Sequence, residues 1–331
     1  MVIRRKLRTF ARLVRNLDLL PTLRAEVAEL RQGQQQAEAQ AASRAASLAE
    51  SLARQQPVAP PPAGDLPRGR ETLLTLGSGQ LGAFVPLDHP QVLQPRPPAY
   101  RFEAVLRRLR QDQFATDDFL AALAPMLAEP AFAAIPAMQA SENSPHWDNG
   151  YFTGDDARLL MAYVARFRPA RILEIGSGNS TRFARHAIQH FATGTRITSI
   201  DPQPRASIRA ICDQVVEASV LEVDLALFDQ LEPGDLLFHD GSHLVLNGAD
   251  TVCLFLEILP RLRPGVVVQI HDITLPRDYP AAFDGRGYAE QYMLAACLLA
   301  GDQWQVLAPV AQLAEEGRLP QGGVSFWMRR A

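Results

Sequence analysis

The stretch Arg171–Ala184, RILEIGSGNSTRFA, decides the fold. It opens on apolar, β-branched residues, crosses glycines at 176 and 178, and continues as a helix-forming segment. A strand that passes through glycines into a helix is a ligand-holding turn. Glycine adopts backbone angles closed to other residues and lets the main chain approach a ligand. Several ligands use such turns, and two are disfavoured by the residues themselves. A dinucleotide fingerprint, G-x-G-x-x-G/A, needs Gly or Ala at 181, where this chain has Thr181. The phosphate loop fails too, because no Gly-Lys-Ser/Thr follows.

Working outward, the pattern is regular from Tyr151 onward. DDARLLMAYVARFRP reads as a helix, with Asp155 and Asp156 at the start, where the helix dipole favours anions, and Pro169 after the end. RILEIG, RITSID, QVVEA, DLLFHD and GVVVQIHD follow as short apolar runs with helical segments between them. Helices are expected from Thr181, from Arg205 and through TVCLFLEILPRL. Strands alternating with helices predict a doubly wound, mostly parallel α/β sheet. Ligands gather at the carboxyl ends of such strands, so Glu174, Asp201, Asp240 and Asp272 should share one edge.

What remains at the turn is E-x-G-x-G-x-S, with Glu174 closing the strand. A carboxylate pointed into the turn would repel a pyrophosphate. It suits a ligand with an ammonium group and no phosphate, and S-adenosylmethionine is such a ligand. Asp201, 25 positions after Gly176, is placed to accept hydrogen bonds from ribose hydroxyls. NAD carries the same ribose, so Asp201 alone does not discriminate.

EIGSGNST, SID, LLFHDGSH and LEILPRLRPGVVVQIHDI together resemble the class I S-adenosylmethionine-dependent methyltransferases, in particular the bacterial group called methyltransferase family 24. WQVLAP and GGVSFWMRR resemble that superfamily's closing antiparallel strands. The resemblance implies a seven-stranded, Rossmann-like, mostly parallel sheet. It implies that Glu174, Gly176, Ser177, Gly178 and Ser180 hold the methionine part of the cofactor. Asp201 would take the ribose, with Pro202 and Gln203 at its border, and Asp240 would lie beside the methyl group. The adenine contact is expected near Ala218–Val220, where the usual acidic residue is missing.

Methyl transfer to a hydroxyl needs an aligned nucleophile and somewhere for its proton to go. Asp240 and His243 of HDGSH are candidates, with His243 either a base or a helix cap. Asp240 and Asp272 end adjacent strands and are candidate ligands for a divalent cation, with Mg²⁺ favoured by oxygen donors. His271 stands beside Asp272 as a further catalytic candidate, or the pair supports the substrate loop. That loop, Thr274–Tyr292, offers Arg277, Asp278, Tyr279, Tyr288, Glu290 and Gln291 to a polar acceptor. Trp147, Tyr151 and Phe152 read either as lid residues or as core.

The remainder frames this domain, expected over 146–331. Residues 1–56 should form a helical arm, 57–69 a proline-rich linker and 70–145 an accessory helical region. Ile3, Leu7, Phe10, Val14 and Leu17 make a stripe among basic residues over 1–20. That stripe suits peripheral membrane contact or ordinary packing. Residues 22–55 suit a coiled coil that joins copies of the chain, or a solvated helix. A formal charge of −3 offers no basic excess for nucleic acid. Three scattered cysteines fit neither a disulfide framework nor a CxxC metal site, and point to a cytoplasmic protein. No run approaches the roughly 20 apolar residues of a membrane span. The expected function is O-methylation of a sugar, glycan or related small hydroxylated metabolite. The alternatives are an NAD(P)-dependent oxidoreductase and a membrane-peripheral scaffold with a non-catalytic methyltransferase fold.

Overall fold

The computed structural model describes residues 73–75, 81–83, 97, 100–280, 283 and 286–331. The expected arm, its membrane and self-association surfaces and the proline-rich linker lie outside the described residues. The chain divides into two compact units, Met1–Leu93 and Gln94–Ala331. In the first, β1 (Leu73–Thr75) pairs antiparallel with β2 (Leu81–Ala83).

The second unit opens with helices α1 (Glu103–Gln111), α2 (Gln113–Leu127) and α3 (Pro130–Ala133). Helix α4 (Gly154–Phe167) then leads into the alternating part: β3 (Arg171–Ile175), α5 (Asn179–Phe191), β4 (Arg196–Ile200), α6 (Ala206–Arg209) and β5 (Gln214–Val216). After β6 (Leu236–His239) comes α7 (Asp250–Cys253), which runs on through a wide turn at Leu254–Ile258 and a tight one at Leu259–Arg261. Strand β7 (Val267–Ile270), α8 (Glu290–Leu299), β8 (Trp304–Pro309), α9 (Val310–Glu315) and β9 (Phe326–Arg330) complete it.

The seven-stranded sheet has the order β5-β4-β3-β6-β7-β9-β8. Strands β3 to β7 pair in parallel, and β9 runs antiparallel to both neighbours. The strand order reverses between β3 and β6. In open α/β sheets that switch point opens a crevice at the strands' carboxyl ends.

The strands are apolar on both faces because helices cover both. Ile172, Leu236, Phe238, Val267 and Trp327 meet α2, α4 and α5 in one core. Leu173, Ile175, Leu237, Val268 and Ile270 meet α1, α7 and α8 in the other. This period of two also sorts the polar strand residues. Glu174 shares the α4–α5 face with Ile172, while His239 shares the opposite face with Leu237.

Asp155 and Asp156 do more than face a helix dipole. Both are buried. Asp155 accepts the Gln321 N–H at 2.8 Å, and Asp156 accepts those of Val324 and Ser325, the latter at 2.7 Å. They tie the start of α4 to the chain entering β9. Among the described residues, no helix is long and apolar enough to cross a membrane.

Candidate active site

Gly176 is the residue the turn cannot exchange. Its φ is +78°, and a Cβ built there would lie 2.0 Å from the Asp240 carbonyl oxygen. Gly176→Ala should therefore cost about 3 kcal/mol, a left-handed penalty plus a backbone clash. Denaturant unfolding checks this, and a loss under about 1 kcal/mol would mean the two loops are not held together. Gly178 differs. Its φ of 169° is ordinary extended backbone, and nothing lies within 4 Å of the point a Cβ would occupy.

Beneath the turn, Glu174 is 2 % exposed. Its two oxygens accept the hydroxyls of Ser180 and Thr181, each at 2.5 Å. The Thr181 hydroxyl in turn accepts the Gly178 N–H at 3.0 Å. Glu174 and Ser180 thus bracket the start of α5, below the cleft. Burial pushes the Glu174 carboxyl up to about 8, against the two hydroxyl hydrogen bonds that favour its charge. The native state then keeps a proton that the unfolded chain releases near pH 4.5. Stability from this group is fully present below that pH and is lost as pH rises through 8. Glu174→Gln should remove this slope, at most about 1.4 kcal/mol per pH unit. Unfolding midpoints between about pH 5 and about pH 8.5 test it: parallel curves for the two proteins would contradict the buried, protonated acid.

Asp201 ends β4 and accepts the Ser177 N–H at 3.1 Å, the Ser177 hydroxyl at 2.5 Å and the Gln203 N–H at 2.8 Å. A cleft of about 550 Å³ opens beside this turn. Gly176, Pro202, Val220, Asp240, Leu246 and Asp250 are among its walls. It is of the size that holds a small ligand. Ser219, Val220 and Leu221 line it close to the expected adenine contact, and their lining is mainly apolar. Gln203 is exposed and serves Asp201 through its backbone. A larger cavity, about 810 Å³, lies around Pro233, Gly234, Pro264 and Gly265. That is the amino end of β6 and β7, away from the strand-end acids.

Asp240 joins the cleft to a cluster of acids and imidazoles. His243 Nε2 lies 3.3 Å from Asp240 Oδ1 and 3.4 Å from Asp272 Oδ2. His271 Nδ1 lies 3.5 Å from Asp240 Oδ1 and 3.7 Å from Asp272 Oδ1. On its other side, His271 Nε2 is 3.4 Å from Asp156. His243 and Asp272 both have left-handed backbones, with φ of 59° and 55°. Such strain in non-glycine residues costs roughly 1–2 kcal/mol each and collects at functional sites. Here it turns both side chains toward Asp240.

Burial disfavours charge throughout the cluster, but the pairing outweighs it at three of its groups. Asp240 is held well below the carboxylate range by His271 and His243. His243 is pushed up to about 10 by hydrogen bonds to Asp240 and Glu290 and by their charge. His271 is raised well above its usual value by Asp240 and Asp156. Asp272 is raised, because burial exceeds what its two histidine neighbours return.

The structure also gives Glu290 another place. With Gln291 it is fully buried at the start of α8, so neither faces an acceptor. Glu290 Oε2 lies 2.8 Å from His243 Nδ1, and Oε1 lies 3.0 Å from His239 Nε2. Gln291 Oε1 accepts the Thr274 N–H at 3.1 Å and its hydroxyl at 2.9 Å. Tyr288 covers His243, with ring centroids 4.4 Å apart, and Arg286 lies over Tyr288 and Phe283. Phe152 is core, packed on Phe183, Phe238 and His271, and Trp147 packs on Phe183. Tyr151 alone of that trio is open, 79 % exposed.

Residues 173–273 match the family model described as a methyltransferase domain. An uncharacterised protein of Archaeoglobus fulgidus is 33 % identical over 91 residues, 26 % of this chain and 41 % of that one. The aligned stretch therefore spans about two-fifths of that relative's length. Among solved structures, the SAH-bound methyltransferase PaMTH1 of Podospora anserina is similar at 15 % identity and a TM-score of 0.37. That alignment covers 76 % of this chain and all of that one. Cofactor-bound Rv0187 from MTB is similar at 18 % identity and a TM-score of 0.33, covering 72 % and 99 %. The family match spans the glycine turn, all four strand-end acids and His243. Residues 173–273 thus match a methyltransferase domain and sit within the seven-stranded sheet described above.

Proposed function

We propose that the protein moves the methyl group of S-adenosylmethionine to a hydroxyl oxygen of a small hydroxylated acceptor, a sugar, glycan or related metabolite. One observation carries the reading: Asp240 both lines the cleft at the glycine turn and anchors the cluster of His243, His271 and Asp272. A proton-handling group thus sits where a methyl donor in that cleft would present its carbon. In the displacement, the acceptor oxygen forms the new bond to the methyl carbon as the carbon–sulfur bond breaks. The hydroxyl proton passes into the cluster at Asp272, the acid there whose pKa burial raises, and the sulfonium leaves as a neutral thioether. The chain's contribution is alignment and proton removal. Gly176 admits the donor, Asp201 offers a carboxylate to its ribose, and Tyr288 and Arg286 shape the acceptor side.

The same three side chains suit a divalent cation such as Mg²⁺. One donor atom from each of Asp240, His243 and Asp272 lies within 4.8 Å of the others. A bound cation would polarise the acceptor oxygen and lower its pKa. Incubation with methyl-labelled cofactor and a panel of sugars, glycans and polyhydroxylated metabolites tests the reading. Label should appear on oxygen in at least one acceptor class. Label confined to amine or thiol acceptors would overturn the hydroxyl assignment.

A further inference from the structure

We infer that His243 Nε2 is a ligand of the cation at this site, that Glu290 holds the ring for that task, and that the centre therefore prefers first-row transition cations to Mg²⁺. The inference rests on the cation reading above and names which cation the donor set selects.

Three observations converge on one point. His243 Nε2, Asp240 Oδ1 and Asp272 Oδ2 face each other across 3.3 and 3.4 Å from the nitrogen. A cation drawing all three atoms to it would need shifts of only a few tenths of an ångström, since metal–nitrogen and metal–oxygen bonds run at about 2.0–2.2 Å. Second, His243 and Asp272 reach that point from left-handed backbones, so the strain is spent on aiming these two donors. Third, His271 is a second imidazole aimed at the same place. It is 4 % exposed, and its Nδ1 makes no hydrogen bond while lying beside oxygens of both aspartates.

Glu290 supplies what a coordinating histidine requires. It is fully buried, and its Oε2 takes the Nδ1 side of the ring at 2.8 Å. Nδ1–H donating to that carboxylate fixes the tautomer, so a cation that displaces the Nε2 proton would meet the Nε2 lone pair between Asp240 and Asp272. Carboxylate–histidine–metal arrays of this kind orient the ligand and raise its basicity. Glu290 is a positioning residue in this scheme, since it touches neither cofactor nor acceptor.

Two carboxylates alone suit a hard cation such as Mg²⁺, which favours an all-oxygen shell. Replacing one oxygen by imidazole nitrogen moves the preference along the series Mg²⁺, Mn²⁺, Co²⁺. The test is calorimetric titration of the full chain, stripped by chelator, with each of these cations, with and without S-adenosylhomocysteine. Mn²⁺ should bind at least about tenfold, and Co²⁺ about a hundredfold, more tightly than Mg²⁺. Bound Co²⁺ should show a visible absorption band that changes in His243→Asn. That variant keeps a residue tolerant of the left-handed backbone and offers oxygen instead of nitrogen. Its Co²⁺ preference should fall by about tenfold or more relative to wild type. Glu290→Gln should weaken Co²⁺ about 10–100-fold while retaining the band. Equal Mg²⁺ and Co²⁺ affinities, an unchanged preference in His243→Asn, or no cation binding by protein that binds S-adenosylhomocysteine would each overturn the inference. A nitrogen-dependent Co²⁺ preference in protein that does not bind S-adenosylhomocysteine would support the metal centre and sink the methyl-transfer reading instead.

Discussion

Asp240→Asn is expected to lower methyl transfer by at least about a thousandfold while changing S-adenosylhomocysteine affinity by less than about tenfold. The substitution keeps the side-chain shape in the cleft. It removes the charge that His243 Nε2 and His271 Nδ1 approach at 3.3 and 3.5 Å. The cluster that receives the acceptor's proton loses its central charge, and the two imidazoles lose their shared counter-charge. Single-turnover rates with labelled cofactor, beside a binding titration, separate the effects. An equal loss in binding and rate would reduce Asp240 to a wall of the cleft.

The second large effect belongs to Gly178→Asp. The extended φ of 169° and the open space around a Cβ there leave the fold intact. The new carboxylate would enter a turn already flanked by the carboxylates of Asp201 and Asp240. It would also face the carboxylate of the cofactor's methionine part. Two like charges about 4 Å apart at a partly exposed site repel by up to about 4 kcal/mol, so affinity should fall by at least about two decades. Unchanged unfolding with lost binding is the expected pair of results. Retained binding would mean that the cofactor does not cross this turn.

The contrast between these glycines shows where sequence reading reaches and where it stops. Their position after a strand is enough to place both in a ligand-holding turn. Which one the fold itself requires depends on the Asp240 carbonyl, 64 positions further along the chain. Alternation of apolar runs is enough for the sheet, because strands covered on both faces carry no other pattern. The strand-end acids follow from the same rule, and so does their shared edge. In the sequence, Thr181 is only a departure from the dinucleotide pattern. In the fold its hydroxyl links Gly178 to Glu174, a role that depends on the first turn of α5.

Glu290 is the harder residue. It lies 47 positions from His243, at a helix start within a loop-rich stretch, and nothing in its neighbours distinguishes it from a surface acid. A signal does exist at the other end. His239 is a titratable residue closing the otherwise apolar LLFH, and a fully buried imidazole implies a partner. That partner is Glu290, at 3.0 Å. Asp156 likewise reads in the sequence as a helix-start acid of α4, whereas its contacts are with the chain entering β9 and with His271, which only the folded chain brings near.

The central claim is that the cleft beside Gly176 takes a phosphate-free nucleoside carrying an ammonium group. Calorimetric titration of the full chain with S-adenosylhomocysteine and, separately, with NADH tests it most directly. One S-adenosylhomocysteine per chain, saturating and lost in Gly178→Asp, with no heat from NADH, is the predicted result. Saturation by NADH with silence from S-adenosylhomocysteine would contradict it.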